Sequence, residues 1–354
     1  MPFMRRLLPA IAAGLAVVVC LGDALHACST FCVHLGGRKF FGRNYDFEIG
    51  DGMLTVNPAG LLKKGFQKKG PSWKARYGSV TFNQFGRDYP MGGMNEAALI
   101  VELMWLDVTR YPDEDSRPPV GVLEWIQYQL DTAGTVEEVI ENNSKVRIEG
   151  GAPLHYLVSD AKGRAATIEF LDGKLVAHTG ESLPVAVLTN STYQESLAFL
   201  NSRAGKVPSG SGSRERFARA AYRIDMLKRS APKEPVPALF EVLADVAQQN
   251  TRWSIVYDQT KRTIHFRTDA HRPVRYVELD ALSFACAAGA KLLDLDTRLE
   301  GDVSAKLKPY STAANLAFIT RTYAGSSATR RTPKTEVTAI ASHPDTASCV
   351  TQQP

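Results

Sequence analysis

The chain has 354 residues, of which 44% are hydrophobic and 22% are charged, with a formal net charge of +5 at pH 7. This composition is typical of a soluble globular protein with a sizeable core, and the length fits either two domains or one large layered domain. The basic residues are spread along the chain rather than clustered. We therefore expect no nucleic-acid partner, and the mild positive balance favours anionic small molecules or surfaces.

Residues 1–27 are predicted to be a secretory signal peptide. Two arginines precede the apolar run LLPAIAAGLAVVVCLG, and the more polar DALHA follows and ends at Ala27. We expect cleavage after Ala27 and a secreted or periplasmic protein without stable membrane insertion, because the apolar run is short for a membrane span. Cleavage after Ala24 with further trimming, or acylation at Cys20, are the less favoured alternatives.

The mature chain begins with two β-rich runs, STFCVHL and RKFFGRNYDF, and the glycine pair 36–37 between them predicts a hairpin. Further strands are predicted at KARYGSVTFNQF, ALIVELMWL, HYLVSD, AATIEF, KLVAHTG, PVAVLTN, RWSIVYD, RTIHFRT and PVRYVEL. Helices are predicted at VGVLEWIQYQL, TVEEVIENN, RERFARAAYRIDMLKR and PALFEVLADVAQQ. Strands and helices come in blocks rather than in strict alternation. The pattern predicts an α+β fold with antiparallel sheets covered by helices.

Three regions are expected along the chain: the signal peptide, one catalytic domain over 28–324, and a tail over 325–354. The tail is rich in Ser, Thr, Ala and Pro and has few large apolar residues, which predicts disorder. A flexible loop is predicted at VPSGSGS, residues 207–213.

The motifs of several enzyme classes are missing from the sequence, which contains no HExxH, CxxC, GxSxG, GxGxxG or Walker loop. We therefore predict no metal and no organic cofactor.

Four cysteines remain after removal of the leader. Cys32 is expected to be a small buried hydrophobe. A disulfide between Cys286 and Cys349 is compatible with an oxidising compartment, but the sequence does not determine the pairing.

Cys28 would become the first residue of the mature chain if the leader is cut after Ala27. Its free α-amine would have a reference pKa of about 7.7–8.0 and would lie close to its own sulfur. One residue could then supply both nucleophile and base, as in N-terminal nucleophile catalysis. From the leader alone, this interpretation and a cysteine that merely lies near a cleavage site are equally supported.

The next strand, FGRNYDF, favours the catalytic interpretation. Arg43 and Asn44 must point to opposite faces of this strand. Arg43 could lower the pKa of a nearby thiol, and Asp46 could orient the α-amine by hydrogen bonding. An arginine and an aspartate on one strand are also common as a surface ion pair, so this motif alone is weak.

Over residues 28–270 the sequence resembles the choloylglycine hydrolase and penicillin V acylase family of linear amide C–N hydrolases. The resemblance rests on motifs that occur in matching order: Cys28 followed by GRNYD, then GGMNEAAL, PPVGVLEWIQYQL with TVEEV, PLHYLVSDAKG, VLTN and RFARAAY. It implies a four-layer αββα sandwich of two antiparallel sheets flanked by helices. It also implies an enzyme that cleaves small-molecule N-acyl amides, such as conjugated bile acids, penicillin V or N-acyl homoserine lactones.

The resemblance also implies roles for individual residues. Cys28 is expected to be nucleophile and base, with Arg43 and Asp46 as its electrostatic partners. Asn190 is expected to be the side-chain donor of the oxyanion hole, and Arg216 a second active-site arginine. Counted from the MNEAAL motif, the backbone donor of the oxyanion hole falls at Trp105, where the side chain differs from the tyrosine or asparagine of the family.

Two other functions stay open at this point. An acyltransferase would use the same thioester with an amine as acceptor, and an inactive periplasmic binding protein would keep only the fold. The presence of all five matched site residues argues against the inactive protein. An oligomer is compatible with the sequence, but the connection between VLTN and RFARAAY is short, so the family's assembly is not carried over.

Overall fold

The computed structural model describes residues 28–203 and 205–349. The predicted signal peptide and residues 350–354 of the predicted tail lie outside these ranges. Within the described ranges, no helix combines the length and apolar character needed to cross a membrane.

Strands account for much of the described chain, and most of them belong to two large sheets. In chain order they are β1 (Ser29–Leu35), β2 (Arg38–Asp46), β3 (Met53–Asn57), β4 (Leu61–Lys64), β5 (Ser72–Lys74), β6 (Ser79–Asn83), β7 (Pro90–Asn95), β8 (Ile100–Trp105), β9 (Pro119–Val120), β10 (Arg147–Ile148), β11 (Leu154–Ser159), β12 (Ala165–Leu171), β13 (Lys174–Thr179), β14 (Val187–Leu188), β15 (Thr251–Asp258), β16 (Thr263–Thr268), β17 (Arg275–Glu278), β18 (Lys291–Asp294), β19 (Gly301–Asp302), β20 (Lys308–Pro309) and β21 (Ser348–Cys349).

The helices lie between blocks of strands and at the C-terminal side. They are α1 (Val122–Thr132), α2 (Val136–Glu141), α3 (Tyr193–Ser202), α4 (Ser213–Ser230), α5 (Pro235–Asp245), α6 (Thr312–Gly325) and α7 (Lys334–Ser342). Helix α2 is capped at its N-terminus, since the Thr135 hydroxyl accepts a hydrogen bond from the Glu138 N–H at 3.2 Å.

The first large sheet has the order β14-β1-β2-β15-β16-β17-β19, and the second has the order β13-β12-β11-β8-β7-β6-β3-β18-β20. Neighbouring strands in both sheets are antiparallel except for the edge pair β17 and β19. The predicted hairpin is formed, with Ser29 opposite Asn44 in the pairing of β1 with β2. This pairing brings the start of β1 beside the end of β2, where the predicted site residues lie.

The two sheets stack face to face with helices outside them. Helix α4 packs on β1 and α5 packs on β2 and β15, whereas α1 covers β7 and β8 of the other sheet. Between the sheets, Phe82 of β6 meets Tyr257 of β15 edge to face, with ring centroids 6.4 Å apart. The predicted four-layer αββα sandwich is confirmed.

One predicted strand is interrupted. A continuous strand is predicted over 74–85, but β5 pairs with β4 in a separate small sheet, and the chain joins the second large sheet only at β6. Between β5 and β6 the N–H groups of Arg76 and Tyr77 donate to the carbonyl of Asp131, at 2.7 and 3.1 Å. A helix carbonyl thus replaces the strand partner, which local β propensity could not indicate.

The prediction of a disordered tail is wrong for residues 325–349. Helix α7 lies in this segment and buries Val337, Ile340 and Ala341 against α6. Cys349 is joined to Cys286 by a disulfide with a Cα–Cα distance of 5.8 Å. The apolar residues of α7 are few, but they are three and four positions apart and form one helical face. Composition averaged over the tail concealed that spacing.

Candidate active site

Cys28 lies immediately before β1 and is only 3% exposed. Its Sγ is 3.9 Å from the carbonyl oxygen of Asp46, so the thiol lies beside the end of β2. Burial raises the pKa of the Cys28 thiol, and this effect outweighs the lowering by the positive charge of Arg43. We predicted the lowering influence of Arg43, but the thiol remains neutral at pH 7 unless a base takes its proton.

Arg43 is fully buried on β2 and connects the two sheets. Its guanidinium donates to the Met91 carbonyl at 2.6 Å and forms an ion pair with Glu102 of β8. The Tyr257 hydroxyl donates to the other oxygen of the Glu102 carboxylate. A buried arginine is therefore neutralised close to the Cys28 thiol, on which it still acts electrostatically.

Sequence reasoning missed Glu102, although a signal was present. Glu102 is the single charged residue within the apolar run ALIVELMWL, and such a residue in a buried strand requires a buried partner. Gly92 lies opposite Glu102 in the pairing of β7 with β8. A Cβ at Gly92 would come within 1.9 Å of the Glu102 carboxylate, so only glycine leaves room for the ion pair.

Asp46 ends β2 with a carboxyl group that is almost fully buried. Its Oδ1 accepts a hydrogen bond from the Thr251 hydroxyl at 2.5 Å. Burial raises the pKa of Asp46 to about 7, although the Thr251 hydrogen bond and the charges of Arg216 and Arg43 oppose the shift. The buried Oδ2 has no hydrogen-bond partner among the described residues. Buried carboxylate oxygens normally accept a hydrogen bond, so Oδ2 can accept one from a further donor group.

Arg216 and Asn190 lie on the other side of Cys28 and are joined to each other. The Arg216 guanidinium, on α4, donates to the Cys28 carbonyl at 2.8 Å and to the Ser29 hydroxyl at 2.7 Å. Its Nη2 donates to Asn190 Oδ1 at 2.8 Å. Because Oδ1 is occupied in this way, the Asn190 amide directs its Nδ2 donor away from Arg216.

Trp105 ends β8 next to Asn190, whose Nδ2 donates to the Trp105 carbonyl at 2.9 Å. The Leu106 N–H donates to the Pro153 carbonyl at 3.0 Å, which makes Trp105 and Leu154 a non-hydrogen-bonded pair of the antiparallel ladder. The Trp105 N–H therefore points away from β11. The Trp105 indole donates to Asp107 at 2.5 Å.

The structure thus brings together all the predicted site residues: Cys28, Arg43, Asp46, Trp105, Asn190 and Arg216.

A cavity of about 160 Å³ opens at Cys28 and Asp46. Its walls are mostly apolar and include aromatic residues from several loops and strands: Tyr45, Phe47, Phe66, Phe85 and Tyr89. The C-terminal segment contributes Tyr323, Ala328, Thr329 and Ile340. These last four were not predicted as site residues, because most of them lie in the segment that we expected to be disordered.

Asn95 of the MNEAAL motif has a structural position. Its Nδ2 donates to the carbonyls of Leu130 and Ala133, at 2.9 and 2.7 Å. Its Oδ1 accepts from the N–H groups of Ala97 and Leu99, both at 3.0 Å. Asn95 therefore ties the turn after β7 to the end of α1.

Two facing sheets between helical layers, with a buried cysteine at the first strand and an amide donor beside it, define the fold class of the N-terminal nucleophile hydrolases. The family model of the linear amide C-N hydrolases, choloylglycine hydrolase family, matches residues 28–209. The chain belongs to this family and is a linear amide C–N hydrolase. The resemblance seen in the sequence motifs is confirmed.

Known relatives agree with this assignment. A penicillin V acylase of Pectobacterium atrosepticum is 26% identical over 367 aligned positions, which cover 86% of this chain and 96% of that protein. The solved penicillin V acylase of Agrobacterium tumefaciens is 28% identical with a TM-score of 0.72, covering 80% of this chain and 98% of that one. A conjugated bile acid hydrolase of Clostridium perfringens, 19% identical with a TM-score of 0.66 over 77% and 98% of the two chains, shares the fold.

Proposed function

We propose that the protein is exported, that its leader is cut immediately before Cys28, and that the freed α-amine serves as the base for the Cys28 thiol. The observation that carries this proposal is the buried Oδ2 of Asp46, which has no partner among the described residues. Asp46 is a neighbour of Cys28, since its backbone carbonyl is 3.9 Å from the Cys28 Sγ and its charge acts on the thiol. An amine at the start of the chain would supply the missing donor. Asp46 would then hold the amine in place, as a triad acid orients its base.

Catalysis would begin with proton transfer from the Cys28 sulfur to the α-amine, directly or through one water. The thiolate attacks the amide carbonyl, and the protonated amine returns its proton to the departing nitrogen. Water, deprotonated by the same amine, then hydrolyses the thioester. Arg43 favours the thiolate by its charge.

The oxyanion would be stabilised by Asn190 Nδ2 and the Trp105 N–H. One Nδ2 hydrogen is engaged with the Trp105 carbonyl, so the second is the donor toward substrate. Arg216 fixes the amide from the Oδ1 side and thereby prevents its flipping. A preorganised donor of this kind lowers the barrier by about 3–4 kcal/mol.

The substrate would be an N-acyl amide whose acyl group is apolar, because the cavity beside Cys28 is lined mainly by aromatic and aliphatic side chains. Two relatives bear the name penicillin V acylase. Penicillin V, with its phenoxyacetyl group, is therefore the first substrate to assay. Conjugated bile acids and N-acyl homoserine lactones follow.

The decisive experiment compares two forms of the enzyme that differ by one residue. One form begins at Cys28, and the other carries an additional alanine before it, which converts the α-amine into a peptide nitrogen. We expect the extended form to lose activity by at least about 10²-fold, the lower range for loss of a general base. Intact-mass measurement must verify both N-termini. Equal activity of the two forms would disprove the proposal.

Selective alkylation supplies a second test with an internal control. Cys32 is the other free cysteine of the described residues and is partly buried. Iodoacetamide should modify Cys28 before Cys32, with parallel loss of activity, and Cys32→Ser should remain active. Inactivation that follows modification of Cys32 would contradict the assignment of the nucleophile.

A further inference from the structure

We infer that His155 and Glu169 form a positioning pair that holds the loop of Asn190 in register for the oxyanion. The inference rests on the proposed function, because it assigns Asn190 as the oxyanion donor. Both residues are fully buried and lie outside the groups that touch Cys28. They belong to adjacent strands, His155 to β11 and Glu169 to β12.

The two side chains contact each other across the strand pair. His155 Nδ1 lies 3.2 Å from Glu169 Oε1, and His155 Nε2 lies 2.7 Å from the carbonyl oxygen of Thr189. Each ring nitrogen thus faces an oxygen that accepts hydrogen bonds. The ring therefore bridges the Glu169 carboxylate and the Thr189 carbonyl.

This pair holds both ends of one short loop. The Thr189 carbonyl, bound by His155, belongs to the peptide group that joins Thr189 to Asn190. Four residues further on, the N–H of Tyr193, which begins α3, donates to Glu169 Oε1 at 2.9 Å. Residues 189–193 leave β14 and enter α3 between these two contacts. One buried pair therefore fixes the entry and the exit of the loop.

The remaining contacts of Asn190 complete the restraint. Its N–H donates to the Ser213 hydroxyl at 2.9 Å, and its Oδ1 accepts from Arg216 at 2.8 Å. The side chain is thus set by α4, whereas the backbone carbonyl before it is set by His155. Loss of the His155 contact leaves a buried carbonyl unpaired and frees the loop to shift. A displacement of about 1 Å at a catalytic group can cost about 10²-fold in rate.

Another polar side chain beside the pair is that of His178 on β13. Its Nε2 is 3.7 Å from Glu169 Oε2, beyond hydrogen-bond distance, and its ring lies against Tyr193 with centroids 4.9 Å apart. His178 therefore packs beside the carboxylate and the first residue of α3. Unlike His178, both His155 and Glu169 hydrogen-bond directly to the backbone of the loop, so these two are the residues to vary.

The experiment is a double-mutant cycle with His155→Gln and Asn190→Ala, assayed on penicillin V or on the best substrate found. We expect His155→Gln alone to lower kcat by about 10- to 100-fold with KM changed less than about threefold. In the Asn190→Ala background, the same substitution should have almost no further effect on kcat. A residue that supports the fold in general would give the same factor in both backgrounds, and that result would overturn the inference.

Two further variants keep the test decisive if His155→Gln folds poorly. Glu169→Gln removes the charge with little change in shape. Alone it should lower kcat as His155→Gln does, and in the Asn190→Ala background it should have almost no further effect on kcat. His265→Gln, at a half-buried position of β16 away from the Asn190 loop, is the control with the same substitution and should leave kcat unchanged. Full activity of a folded Glu169→Gln protein would also refute the pair. Retention of activity by Asn190→Ala itself would instead refute the proposed oxyanion hole.

Discussion

The cavity beside Cys28 is built from two walls of different character. The wall to which we assign catalysis, called the catalytic wall, consists of Cys28 and Asp46, which line the cavity, and of the polar groups that hydrogen-bond around them: Arg43, Asn190 and Arg216. The C-terminal wall consists of Tyr323, Ala328, Thr329 and Ile340, which belong to a segment held by helix packing and one disulfide. The expected contribution of the catalytic wall depends on the position of individual atoms, whereas that of the C-terminal wall depends on the shape of the surface it presents to the cavity.

This difference separates the effects expected from substitution. A change in the catalytic wall alters charge or hydrogen bonding near the reacting atoms and should reduce kcat. A change in the C-terminal wall alters packing and cavity volume, and it should affect stability and substrate affinity while the chemical step survives. The following predictions test that separation, beginning with the largest effect.

Cys28→Ser should lower kcat/KM by at least about 10³-fold, because the hydroxyl is a much weaker nucleophile than the thiol at neutral pH. The thermal midpoint should change little, since the two side chains have similar shape. Activity and melting are measured on protein that begins at residue 28. A serine variant with more than a tenth of the normal activity would show that Cys28 is not the nucleophile.

Replacement of both Cys286 and Cys349 by serine should destabilise the protein without changing the chemistry. The disulfide joins residues 63 positions apart. Closure of a loop of that length stabilises the folded state by about 4 kcal/mol in the chain-entropy model. Denaturant unfolding should show the loss, and kcat at low temperature should stay within about twofold. A large fall in kcat of the folded protein would show that the two walls are not separable.

Ile340→Ala and Val337→Ala form a matched pair on helix α7. Both side chains are buried, but only Ile340 lines the cavity. Each substitution should destabilise the protein by about 1–4 kcal/mol. Only Ile340→Ala should change the relative KM values of substrates with short and long acyl groups. Equal shifts in both variants would mean that the C-terminal wall does not contact the acyl group.

The smallest effect is expected from pH acting on Glu124, which lines the cavity near the start of α1. Burial raises the pKa of its carboxyl from 4.5 to about 7, although N–H groups of Phe66 and Gly121 donate to it. Asp88 adds to the shift and Lys63 opposes it. An ionised carboxylate disfavours an apolar acyl group, so KM should rise a few-fold as the pH passes through 7. Glu124→Gln should remove that rise in KM.

The same carboxyl affects stability in a direction that can be worked out. The folded protein holds the Glu124 proton up to about pH 7, whereas the unfolded chain loses it near 4.5. Between these values the folded state binds more protons, so the contribution to stability decreases as pH rises, by about 3 kcal/mol at most. The difference in unfolding free energy between Glu124→Gln and the parent should therefore grow from pH 4.5 to 7 and then level off.

Much of the catalytic wall could be predicted from the sequence because its residues lie in short, recognisable motifs. Cys28 follows the predicted leader, Arg43 and Asp46 share one strand, and Asn190 ends VLTN. Their partners were not predictable in the same way. Glu102 is 59 positions from Arg43, and only the stacking of the two sheets brings them together. The pairing of His155 with Glu169 likewise required the register of β11 with β12.

The C-terminal wall shows where composition misleads. The segment is rich in small and polar residues, yet three apolar side chains on one face of α7 suffice to dock it on α6. Local composition carries no information about a face that is buried only after another helix is present. The Cys286–Cys349 disulfide adds a restraint that spacing alone could not assign.

The sequence by itself determined the class of fold, the family and the residues that gather around Cys28, because β periodicity and motif order are local properties. The tertiary structure alone decided which charges neutralise one another, how the Asn190 loop is held, and that the C-terminal segment closes the cavity. These features depend on contacts between distant parts of the chain. Such contacts form only when sheets and helices stack, and burial then makes every unpaired polar group costly.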